Sequence, residues 1–191
     1  MEYICEDLLN YISKRAKIPE NIAKVIFKQL IEGLKYLHSN CIIHRDIKLD
    51  NILIGLDGKV KICDFGVSRI IKPNDIMHEH CGTPAYIAPE IFTSNGYKGF
   101  YSDIWSAGIT LYYMLSGNQP FKGTNLSKLH SNILNQKLEK IEGISPEAES
   151  LIYGLLQQNP KKRLTITQIL NHPWLKDASP RTKCKNLILT L

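Results

Sequence analysis

From Asp103 to Leu115 the chain is apolar on nearly every face of a helix, with Ile104, Trp105, Ala107, Ile109, Leu111, Met114 and Leu115 spread around it. A helix hydrophobic all round is a buried one. Other elements must therefore surround it, and 191 residues at 43% hydrophobic composition supply one core of ordinary size. Behind Pro19, Ile22, Val25, Ile26, Leu30, Leu34 and Leu37 recur at three- and four-residue steps, which predicts a long helix with one core face, ended by Asn40. A shorter helix is expected from Asp7 to Lys14. Further helices are expected over Leu126 to Gln136, Ser145 to Gln158 with Ser145-Pro146 as its start, and Thr165 to Asn171. Ile52-Leu53-Ile54 and Val60-Lys61-Ile62 flank Leu56-Asp57-Gly58, whose Asp-Gly pair favours the tight turn of a β-hairpin. The expected fold class is mainly α with a small β-hairpin.

Between Val67 and Glu90 no clean period exists, and Gly82, Pro84 and Pro89 break any helix, so this stretch reads as a long functional loop. There is no repeat and no internal linker. One domain over 1–175 is expected, followed by a tail over 176–191 that turns polar, ends in Leu187-Ile188-Leu189 and docks loosely.

The formal charge is +6, but the basic residues are scattered, with Lys161-Lys162-Arg163 as the one run and no interleaved aromatics. That pattern argues against a nucleic-acid partner. Apolar runs are short and interrupted by charge, which argues against a membrane span, and Met1 to Asp7 lacks the basic start of a signal peptide. Cys5, Cys41, Cys63, Cys81 and Cys184 are odd in number and form no C-x-x-C pair, as expected of reduced thiols. An intracellular location follows, cytoplasmic or nuclear. His78, Glu79, His80 and Cys81 lack a second ligand cluster that would make a zinc site. Nothing in the sequence fixes an oligomeric state.

The chemistry is concentrated in Ile43-His44-Arg45-Asp46-Ile47-Lys48-Leu49-Asp50-Asn51 and, after the hairpin, Asp64-Phe65-Gly66. Two carboxylates, a lysine and an asparagine in that order suit phosphoryl transfer, where one aspartate takes the hydroxyl proton while another and an asparagine hold magnesium.

Together with Cys81-Gly82-Thr83-Pro84-Ala85-Tyr86-Ile87-Ala88-Pro89-Glu90 and Asp103-Ile104-Trp105-Ser106-Ala107-Gly108, these motifs resemble the large, C-terminal lobe of a eukaryotic protein kinase. The match runs from Met1 to about Leu175. Lys48, two positions after Asp46, resembles the serine/threonine form of the catalytic loop, and the later motifs are closest to the calmodulin-dependent and AMP-activated kinase group. The resemblance implies a protein-kinase-like C-lobe that passes the ATP γ-phosphate to a protein Ser or Thr hydroxyl with Mg2+. Asp46 would be the general base, Lys48 would steady the phosphoryl charge, and Asn51 and Asp64 would hold magnesium. A turn-capping aspartate and a plain surface lysine are the alternatives at the first two positions. Glu2 and Ile4, with Asp7 close behind, would form the hinge side of the nucleotide site, and Leu53 its floor. His44 and Phe65 would pack as an apolar spine.

Around these, Asp103 would orient the catalytic loop, Thr83 would bridge Asp46 and Lys48, and Glu90 would pair with Arg163. Glu79 stands where related kinases carry a phosphorylatable threonine, and Arg45 and Arg69 match the positions that would hold that phosphate. Glu79 is expected to replace it permanently, with a solvated loop acid as the alternative. Asp7 and Asp50 would face an upstream arginine of the substrate, Tyr113 replaces a further acid, and Val67 accompanies threonine as acceptor. The small lobe is expected to be absent, since the sequence contains no glycine-rich phosphate loop and no strand lysine, and Gly55, Gly58 and Gly66 have turn spacing. The chain alone is then expected to bind ATP poorly. Two readings stay open: a fragment of an active serine/threonine kinase, and a free-standing lobe that works as a non-catalytic binding or decoy module.

Overall fold

A computed structural model describes residues 4–178 apart from 73 and 94. The long apolar stretch forms helix α4 (Gly99–Ser116), and every residue from Ser102 to Tyr112 is buried. Trp105 at its centre lies nearly parallel to Phe121, ring centroids 6.0 Å apart. Gly117 ends the helix in the left-handed region at φ 74°, where its N–H donates to the Tyr113 carbonyl. The left-handed end is the geometry that glycine adopts without side-chain strain.

Helix α1 (Leu8–Arg15) and helix α2 (Glu20–Ser39) precede it. Asp7 caps α1, its carboxylate accepting from the Asn10 N–H at 2.8 Å and the Asn10 side-chain amide at 2.6 Å. The core face of α2 is broader than the apolar spacing alone predicts. Ala23, Phe27 and Ile31 are fully buried beside Ile26, Leu30 and Leu34, while Ile22 is half-buried. At its start, the Glu20 carboxylate accepts from the Ser145 N–H and hydroxyl and from the Trp174 indole at 2.8 Å. Three segments far apart in sequence thus meet on one carboxylate.

The hairpin forms as strands β3 (Ile52–Gly55) and β4 (Val60–Ile62), pairing Leu53 with Lys61 and Ile54 with Val60. It is part of a three-stranded antiparallel sheet, because β1 (Ile4–Asp7) pairs along the other edge of β3, with Asp7 opposite Leu53. The stretch that reads as a long functional loop also carries short regular elements. Strand β2 (Ile42–Ile43) pairs with β5 (Arg69–Ile70), Met77 bridges to Tyr97, a 3-10 turn spans Pro84–Tyr86, and helix α3 covers Pro89–Thr93. Two-residue strands leave no period for a pattern to reveal.

Helices α5 (Leu126–Asn135), α6 (Pro146–Leu155) and α7 (Ile166–Leu170) complete the fold. Helix α6 stops short of Gln158. The carbonyl of Gln157 turns away to accept from Arg163 Nε at 2.8 Å, and the carbonyl of Gly154 accepts from the Leu164 N–H. Among the described residues, no helix is long and apolar enough to cross a membrane. The tail from residue 179 onward lies outside the described residues.

Candidate active site

Asp103, in the second turn of α4 and fully buried, organises the loop after β2. Its carboxylate accepts from the backbone N–H groups of His44 at 3.0 Å and Arg45 at 2.9 Å, and His38 Nε2 lies 2.9 Å away. Arg45 sits at φ 69°, a region costly for a residue with a side chain. The paired bonds to one buried carboxylate hold it there. His44, also fully buried, lies with Nε2 3.0 Å from the Cys63 carbonyl. This couples the loop to the strand leading into Asp64.

Asp46 is the hub of the site. Oδ1 accepts from the Thr83 N–H at 2.9 Å and the Thr83 hydroxyl at 2.8 Å, and Oδ2 lies 2.8 Å from Lys48 Nζ. Lys48 also donates to the Thr83 hydroxyl at 2.9 Å, so the three side chains close a ring. Asn51, 5% exposed at the end of a 3-10 turn (Leu49–Asn51), donates its amide to the Asp46 carbonyl at 2.9 Å and to Oδ2 at 3.2 Å. Burial pushes the Asp46 carboxyl up, but the bonds from Lys48 and Thr83 outweigh it and hold the group below the usual carboxylate value. The same contact with Asp46 raises Lys48. The site therefore presents a charged aspartate beside a charged lysine.

Asp64 is exposed, at φ 60°, and one of its oxygens accepts from the Gly66 N–H at 3.2 Å. Phe65 meets His44 edge-on at 5.0 Å but stays 45% exposed, so the spine expected of this pair is only half packed. Val67 is exposed, and its carbonyl accepts from Arg45 Nε. Glu79 lies between two guanidinium groups, 2.7 Å from Arg45 and 2.5 Å from Arg69. Hydrogen bonds from Arg45 and then Arg69 lower its carboxyl pKa.

Farther out, Glu90 and Arg163 form a buried two-pronged pair at 2.6 and 2.5 Å, and Arg163 also lies over the Trp105 ring. Leu53 is half-buried in β3 opposite Asp7, Ile4 begins β1 opposite Gly55, and Asp50 is exposed in the loop that carries Asp46. Glu2 lies outside the described residues. Tyr97, absent from the sequence reading, donates its phenol to the Glu79 carbonyl at 2.8 Å. His38 is the other addition. A lone tyrosine in a glycine-containing loop and a histidine at a helix end carry no spacing that marks them. Among the described residues, no group of three or more His, Cys, Asp or Glu side chains converges as for a metal cage.

Residues 1–175 match the protein kinase domain family. CBL-interacting protein kinase 30 of Oryza sativa subsp. japonica is 39% identical over 183 residues, 94% of this chain and 38% of that protein. Serine/threonine-protein kinase ppk25 of Schizosaccharomyces pombe is 40% identical over 173 residues, 90% of this chain and 41% of that protein. Sperm motility kinase 3A of Mus musculus is 38% identical over 174 residues, 91% of this chain and 34% of that protein. The chain thus spans well under half the length of each of these relatives. On the family match and these identities, the chain belongs to the protein kinase domain family.

Proposed function

We propose that this chain supplies the large-lobe half of a serine/threonine kinase site that transfers the ATP γ-phosphoryl group to a protein hydroxyl. The observation that carries the reading is the closed ring of Asp46, Lys48 and Thr83 with Asn51 beneath it. A turn-capping aspartate needs no lysine and no threonine on its oxygens. In this reading Asp46 orients the acceptor hydroxyl and receives its proton. A carboxylate with a lowered pKa is a weak base, so it takes the proton late, when the oxygen is already bonding to phosphorus. Lys48 lies beside the incoming charge, and Thr83 holds Asp46 in register.

The donor chemistry fits magnesium. Asn51 directs its amide nitrogen at Asp46, which leaves its carbonyl oxygen as a hard ligand, and Asp64 offers an exposed carboxylate. The ion, when bound with nucleotide, offsets phosphate charge. Leu53 and the backbone of β1 line the adenine side, with Glu2 outside the described residues. The 191 residues contain no glycine-rich phosphate loop and no strand lysine, so the other half of the nucleotide site is not encoded in them.

The Cys81 to Glu90 and Asp103 to Gly108 motifs support membership of the calmodulin-dependent and AMP-activated group. Asp7 already caps α1, so Asp50 is the better contact for an arginine upstream of the acceptor. Val67 favours threonine over serine. Glu79 stands in permanently for an activating phosphate, a reading supported by its position between Arg45 and Arg69. The test is transfer of radiolabelled γ-phosphate to a Ser/Thr peptide array by the full-length protein. Asp46→Asn should lower the rate by about 10²- to 10⁴-fold, the usual contribution of a general base. Equal labelling by variant and wild type, or a preference for acidic flanks, would remove the catalytic or the specificity assignment respectively.

A further inference from the structure

We propose that Tyr97 is a positioning residue for the transfer site: its phenol locks the segment carrying Glu79 against Arg45, so that this segment stays in place without covalent modification. The inference rests on the kinase reading above and adds its regulation. Tyr97 is 5% exposed and precedes α4 by two residues. Its N–H and carbonyl exchange two bonds of 2.9 Å with Met77, and its hydroxyl donates to the Glu79 carbonyl at 2.8 Å. Arg45 gathers the Val67 carbonyl and the Glu79 carboxylate around one guanidinium, and the Tyr97 phenol holds the backbone of that same Glu79.

Arg45 immediately precedes Asp46, and Thr83, four residues beyond Glu79, is the group that fixes Asp46 Oδ1. Slack at residue 79 would reach the transfer site from both sides. The two ion pairs alone would hold it weakly, because Glu79 is 55% exposed and exposed pairs are screened by salt. The phenol is buried and works in a low dielectric, where a hydrogen bond is stronger. Burial pushes its pKa up to about 12, so it remains a neutral donor at any working pH. A buried phenol anchoring the backbone thus supports an exposed carboxylate.

Tyr97→Phe keeps the ring and the backbone bridge and removes only the hydroxyl. In the full-length protein it should lower kcat for peptide phosphorylation by about 3- to 10-fold, the effect of one lost hydrogen bond, with the KM for ATP unchanged. Added salt should depress the kcat of the variant more than that of wild type. Hydrogen exchange over residues 77–83 should quicken in Tyr97→Phe and in Glu79→Gln, and the double variant should be no faster than the worse single. Wild-type exchange and kcat in Tyr97→Phe, or effects that multiply in the double variant, would overturn the proposal. If wild-type protein transfers no phosphate, the kinase reading falls, and exchange over 77–83 decides the latch by itself.

Discussion

At Asp46 burial and hydrogen bonding pull in opposite directions, and bonding wins, so the folded carboxyl titrates below its ordinary value near 3.8. A group lowered on folding adds stability above its unfolded pKa and loses it as pH falls through the folded one. The stability difference between wild type and Asp46→Asn should therefore be flat from pH 7 to about pH 5 and shrink below about pH 4. Chemical denaturation at a series of pH values measures it; a difference that grows on acidification would reverse the assigned shift. Residue order alone singles out Asp46, Lys48, Asn51 and Asp64 as candidates, since phosphoryl transfer would require those types at those intervals. It does not reveal their mutual bonds. Tyr97 could not be found either, because its contribution is one hydroxyl meeting a backbone carbonyl from 18 residues away, and no local pattern encodes that.

Among the elements, helices with a sustained apolar period were legible, while strands held by two residue pairs were not. Helix α2 repeats its core face over 20 residues, and α4 is apolar on nearly every face from Asp103 to Leu115. Strands β2 and β5 consist of Ile42-Ile43 and Arg69-Ile70, and their pairing depends on the closure of a long loop. The end of α4 shows how a single position can join two elements. A Cβ at Gly117 would come within 2.0 Å of the Ala16 carbonyl oxygen, in the turn between α1 and α2, and the backbone there is left-handed. We expect Gly117→Ala to cost about 1–2 kcal/mol from the backbone conformation, and more from the clash. Urea denaturation measures the loss. A loss below about 0.5 kcal/mol would mean that the α1–α2 turn moves aside freely, contrary to the 2.8 Å bond between the Ile18 N–H and the Met114 carbonyl.

On the scale of the whole molecule, the Glu90–Arg163 pair connects regions that share no sheet and no turn. Glu90 lies in the first turn of α3 at the end of the loop that carries Thr83, and Arg163 follows α6. Arg163 also donates to the Tyr101 carbonyl in α4 at 2.9 Å and to the Gln157 carbonyl at 2.8 Å, and is 3% exposed. Charges removed from water this completely are expensive, and their attraction roughly offsets that cost only while both are present. Arg163→Met strips Glu90 of its guanidinium and the Gln157, Gln158 and Tyr101 carbonyls of a donor, which should destabilise the fold by about 3–5 kcal/mol. Pairing it with Glu90→Leu should recover much of that loss, because the buried charge is then gone as well. Phosphotransfer should not recover in parallel, since the end of the Thr83 loop has still lost its tie to α4. A double-mutant cycle read by both urea denaturation and kcat separates the two effects. If stability and activity return together, the pair acts only on the fold and does not hold the catalytic segment in place.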